Sequence, residues 1–126
     1  MKPFLNRSQV AAVVTDPQQP DHPIVYANKR FEELTGYSNE EIIGKNCRFL
    51  QGDKTDDQAI AQMKKGIEDL QKTTVVLQNY RKSGIAFWNR VTIEPIVIAG
   101  KVYFLGMQTD IVQEFLPHFP LEPTSP

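Results

Sequence analysis

Between Thr73 and Ile111 the chain alternates apolar and polar side chains in three runs, about 73–81, 85–96 and 101–111, separated by the turn sequences RKSG and AG. Links this short leave neighbouring strands antiparallel, so this stretch is committed to a three-stranded meander. Upstream the periodicity differs. VAAVVT (10–15) and IVYAN (24–28) read as two further strands divided by the proline-rich loop DPQQPDHP. Asn28 is placed to cap a helix over KRFEELTG, with Phe31 and Leu34 on one face and Gly36 as its stop. Ser38 and Glu41 have capping-box spacing for a second short helix ending at Gly44. A longer helix is expected over about 57–71, its apolar stripe formed by Ile60, Met63, Ile67 and Leu70. Two strands, helices, then three strands predict an α+β domain with helices covering one face of a single sheet.

Composition narrows the function classes. The chain has 126 residues, 40% apolar and 23% charged, which suits one domain with one core. A formal net charge of -1 with scattered Lys and Arg gives no footprint for nucleic acid or an anionic membrane, and neither partner is expected. No run approaches the roughly 20 apolar residues of a spanning helix, and a cytoplasmic location is expected. The single cysteine, Cys47, excludes an internal disulfide and a cysteine metal cluster, and no metal site is expected. His22 and His118 sit among prolines in loop-like sequence, so a Cys–His catalytic dyad has little support.

The meander carries an anomaly. Alternation puts Val75, Leu77 and Asn79 on one face, then Phe87, Asn89, Val91 and Ile93, then Val102, Phe104, Gly106 and Gln108. Each strand therefore turns one amide toward the apolar side. A buried amide without partners costs about 1–3 kcal/mol, so three on one face need each other, water or a ligand. Amides pair with alternating C=O and N–H groups, and Gly106 lets a ring approach the backbone. The uracil-like edge of a flavin has that pattern, while exposure of Asn79 and Asn89 at strand ends is the simpler alternative.

Residues 44–51 read GKNCRFLQ, and this segment closely resembles the LOV (light-oxygen-voltage) group of PAS domains. VVTDP, NYRKSG, FWN and GMQTD are similar to that family in the same order, over about residues 10–112. Within it the chain most resembles the bacterial LOV-STAS stress regulators. The resemblance implies a PAS fold of five antiparallel strands, with helices enclosing FMN on one face. It also implies a blue-light receptor in which the Cys47 sulfur bonds reversibly to flavin carbon C4a. On the family's pattern, Asn46 and Cys47 face the ring, Asn79 and Asn89 bond its pyrimidine edge, and Gln108 lies beside N5 as the signal switch. Val13, Thr15, Leu50, Ile60, Met63, Ile67, Val91, Ile93 and Phe104 then form pocket walls with Gly106. If NCRFLQ is a short helix, Arg48 and Gln51 share a face and can hold the phosphate and ribityl chain.

Departures from the family are equally legible. Lys64 replaces a frequent arginine at the phosphate, which weakens discrimination against riboflavin. His22 stands where asparagine is common, and Ala11 with Ala12 leaves the first strand's inner surface small. The short spacing between helices makes FAD less expected than FMN. The expected organisation is an extension over 1–9, the flavin domain over 10–112, and a C-terminal extension over 113–126. That last segment combines a short IVQEFL helix with a proline-rich linker, and the chain is read as a stand-alone receptor or a fragment preceding an output domain. A homodimer through the sheet face or the terminal extensions is expected, with Phe4, Leu5, Ile111, Phe115 and Leu116 as apolar contributors. The other readings are a PAS-type flavin redox or ligand sensor without thiol photochemistry, a flavin oxidoreductase, and a purely structural dimerisation domain. No nicotinamide fingerprint is present, so a sensor rather than an enzyme is expected.

Overall fold

The computed structural model describes residues 10–112. The chain runs β1 (Ala11–Thr15), β2 (Ile24–Ala27), α1 (Lys29–Thr35), α2 (Asn39–Ile42), a 3-10 helix (Cys47–Leu50), α3 (Asp57–Glu68), β3 (Thr73–Tyr80), β4 (Ala86–Ile98) and β5 (Lys101–Asp110). The five strands form one antiparallel sheet in the order β2-β1-β5-β4-β3. The expected α+β architecture is present, and the meander is β3-β4-β5. Local alternation did not supply the closure of the sheet by β1 against β5, which pairs Val13 with Gly106 and Thr15 with Phe104.

The caps explain the short elements. Asn28 Oδ1 accepts from Phe31 N at 3.0 Å, opening α1, and from Ala12 N at 2.9 Å, tying that helix to β1. One fully buried amide thus ends β2 and starts α1. Gly36 closes α1 in the left-handed region at φ +82. Ser38 and Glu41 form the expected capping box. That helix ends at Ile42, earlier than Gly44, which instead makes the following turn at φ +92.

Two expectations are corrected. α3 stops at Glu68, and Leu70 leaves the apolar stripe, being 55% exposed. The bonds Gln71 N to Gly66 O (2.8 Å) and Leu70 N to Ile67 O (3.2 Å) form a Schellman ending, with Leu70 at φ +53 in the position usually held by glycine. The helix must stop there because Gly66 lies against Thr73 at the start of β3, where a β-carbon would stand 2.8 Å from Thr73 Cβ. Ala11 and Ala12 do not share an inner surface. Ala11 packs with Val13, Phe31 and Leu50 under the helices, whereas Ala12 and Val14 pack on the opposite face with Tyr26, Leu105 and Met107. The residues Phe4, Leu5, Phe115, Leu116 and His118, most of the IVQEFL helix and the proline-rich tail lie outside the described residues.

Candidate functional site

Between the sheet and the segment from the 3-10 helix to α3 lies a cavity of about 580 Å³. β1 supplies Val13 and Thr15, β3 Leu77 and Asn79, β4 Val91 and Ile93, and β5 Phe104, Gly106 and Gln108. α3 contributes Ile60, Met63, Lys64, Ile67 and Glu68, and the 3-10 helix with its flanks contributes Asn46, Cys47, Arg48, Leu50 and Gln51. Gly106 has a steric reason: a β-carbon there would lie 3.2 Å from Val13 Cγ2, so a side chain would fill the space beside β1.

The floor is polar. Asn89 Nδ2 donates to Asn79 Oδ1 at 2.9 Å and to Gln108 Oε1 at 3.3 Å, joining amides from three strands. All three are buried, and Asn89 Oδ1 has no hydrogen-bond partner. Asn89 alone of the expected contacts does not line the cavity: it stands behind Asn79 and Gln108, fully buried. The alternative that Asn79 and Asn89 are exposed at strand ends is therefore excluded.

Asn46 opens the 3-10 helix by accepting from Arg48 N at 3.0 Å, and its Nδ2 donates to Asp21 O at 2.8 Å. Arg48 Nη2 donates to Asp21 Oδ2 at 2.5 Å. This pair holds the Asp21 carboxyl below the usual carboxylate range and raises Arg48. Both side chains are more than half exposed, which places them at the mouth, and Lys64 is exposed as well. Cys47 is half-buried and packs against the cluster containing Val13 and Leu50. Burial pushes its thiol up to about 12, so the sulfur is protonated at neutral pH and is not an ordinary activated nucleophile.

Asp21, His22, Leu77 and Glu68 also line the cavity and were not singled out as contacts. Leu77 was legible from alternation. Glu68 stands one residue beyond the stripe, and Asp21 and His22 belong to a loop whose return over the mouth no periodicity encodes.

A PAS-domain family model matches residues 10–113. The chain is 46% identical over 111 residues to the blue-light photoreceptor of Listeria monocytogenes, covering 87% of this chain and 44% of that protein. Its structure superposes on the LOV domain of a blue-light activated histidine kinase from Erythrobacter litoralis with a TM-score of 0.79 and 37% identity, covering 83% of this chain and 98% of that one. The chain belongs to the LOV family of blue-light-sensing PAS domains. A light-state structure of the LOV domain from the photoreceptor aureochrome 1 is similar as well, with a TM-score of 0.78, 38% identity and 91% of each chain covered. This LOV domain spans less than half the length of the curated photoreceptor it matches. No helix among its described residues is long and apolar enough to cross a membrane.

Its site also fits a flavin on its own residues. The apolar walls suit an aromatic ring, the lining amides Asn79 and Gln108 suit a donor-acceptor edge, and the cations at the mouth suit a polar tail.

Proposed function

We propose that this LOV domain senses blue light through a non-covalently bound flavin of FMN size and the thiol of Cys47. The observation that carries the reading is the half-buried Cys47 on the wall of a cavity that Asn79 and Gln108 also line, both amides being bonded to Asn89 behind them. A bound flavin supplies blue absorption and, when excited, a ring carbon able to accept sulfur. Cys47 would supply the sulfur for that carbon and, from the same S–H bond, the proton for the neighbouring ring nitrogen. No base need lie beside Cys47, because light supplies the driving force that other catalytic thiols obtain from a lowered pKa. Gln108 reports the event. An amide facing that ring nitrogen would donate to it when it is bare and accept from it when it is protonated, and such a turn would change the bond of Gln108 with Asn89. Because Gln108 sits two residues before the end of β5, that exchange biases the segment that follows.

Asn79 and Gln108 hold the ring edge with Asn89 supporting both, Arg48, Gln51 and Lys64 hold the tail, and residues 10–112 form the sensory unit. The unit acts as a sensor, not as an enzyme, and signals to an output domain or a partner. Val76 and Trp88 stay exposed on the outer sheet face and support pairing with a second copy there. The test is absorption before and after blue light. The protein is expected to be yellow and to bleach reversibly, and Cys47→Ala to keep its flavin without bleaching. Unchanged bleaching in Cys47→Ala removes the thiol from the mechanism.

A further inference from the structure

The mouth of the cavity is close to neutral. Its lining carries two cations, Arg48 and Lys64, and two anions, Asp21 and Glu68. Arg48 is already engaged, with Asp21 Oδ2 2.5 Å from its Nη2. The Asp21 carboxylate is held in place by the backbone. Asn46 Nδ2 bonds the Asp21 carbonyl at 2.8 Å, and Asp21 and His22 are consecutive left-handed residues at φ +67 and φ +47. The loop's ends are pinned as well: Asp16 N donates to Pro23 O at 3.0 Å, and Asp16 accepts from Gln18 N at 2.9 Å and Gln19 Nε2 at 3.0 Å. Lys64 makes no ion pair with a described residue, but it offers a point charge without the two-pronged geometry of arginine.

A phosphate monoester brings about -1.5 to -2 charges at neutral pH. To reach Arg48 it must displace Asp21 or accept its repulsion, with Glu68 on the same rim. A tail ending in a hydroxyl meets neither cost. We infer that the mouth does not select for the phosphate: the site takes riboflavin about as readily as FMN, and Asp21 is the residue that sets this. The inference rests on the flavin reading above.

The substitution Asp21→Asn isolates the charge. Asparagine tolerates the left-handed backbone, and the bond from Asn46 goes to the main-chain carbonyl, so the loop keeps its form. The full chain, stripped of flavin, is equilibrated with an equimolar mixture of riboflavin and FMN at low salt. The bound flavins are then released, separated and quantified, with circular dichroism reporting the fold. The expected bound ratio of FMN to riboflavin lies within about threefold of unity, which corresponds to under about 1 kcal/mol. In Asp21→Asn the ratio is expected to rise by about fivefold, and in Glu68→Gln by less, since Arg48 pairs with Asp21 and not with Glu68. A wild-type ratio beyond that threefold range in favour of FMN, or a ratio unmoved by Asp21→Asn, overturns the inference while leaving flavin binding intact. Uptake of neither flavin removes the flavin reading and this inference with it.

Discussion

Replacing Asn89 with leucine separates what the amide cluster does for the fold from what it does for the flavin. Asn89 is fully buried, its Nδ2 serving Asn79 Oδ1 at 2.9 Å and Gln108 Oε1 at 3.3 Å while its Oδ1 has no partner. Leucine has similar volume, so little cavity or overpacking results. In the flavin-free chain the substitution removes an orphaned acceptor whose burial costs about 1–3 kcal/mol and loses two bonds of about 0.5–1.5 kcal/mol each. Asn79 and Gln108 border the cavity, so their oxygens pass to water and are not orphaned. The opposing contributions cancel to within about 1 kcal/mol. In the flavin-loaded chain Asn79 and Gln108 meet the ring while Asn89 Nδ2 fixes the orientation of both, and leucine then removes that support at a cost of about 1–3 kcal/mol. That difference corresponds to roughly 5- to 150-fold weaker flavin binding. Urea unfolding of both forms, with a fluorescence titration of flavin into the stripped protein, measures each side. Equal destabilisation of the two forms with unchanged affinity would refute the reasoning and reduce Asn89 to a packing residue.

Further expectations concern signal, pH and a strained helix end. In Gln108→Leu the adduct is expected to form as before while the light-induced change in circular dichroism or hydrogen exchange beyond β5 is lost; a full response would route the signal elsewhere. The folded-state thiol of Cys47, at about 12, lies above its ordinary 9.0, so its contribution to stability is complete below pH 9 and disappears as pH rises toward 12. Relative to Cys47→Ala, the flavin-free protein should therefore lose about 1.4 kcal/mol per pH step across that window, and a flat difference in unfolding free energy would place the thiol in water. Leu70→Gly should stabilise the protein by about 0.5–1 kcal/mol, because it relieves a left-handed non-glycine at the end of α3, less the entropy that glycine adds to the unfolded chain. A lower melting temperature in that variant would count against the Schellman assignment.

Much of this site could be read locally. Alternation along β3, β4 and β5 was enough to turn Asn79, Asn89 and Gln108 inward, because side-chain direction in a strand depends only on parity. Caps were equally local: Asn28, Ser38 and Glu41 act within one helical turn of themselves. What parity cannot supply is which strand lies beside which, or how far behind the wall an inward side chain sits. The pairing of β1 with β5 sets Val13 against Gly106, residues separated by most of the domain, and it depends on loop closure and packing over its whole length. The same holds for Asn89, inward by pattern yet second in line behind two other amides. Leu70 fits the helical period but is expelled, since Gly66 and Thr73 meet one turn earlier.

The α+β class, the inward amides and the segment carrying Cys47 are all written along the chain, because periodicity, caps and turn residues act over a few residues. Folding in three dimensions was needed to bring Asp21 to Arg48 across 27 positions, to put Glu68 in their cavity and to leave Asn89 with an unpartnered oxygen. Contacts of that kind follow from where a pinned loop and a terminated helix come to rest on the sheet, and no local pattern records that.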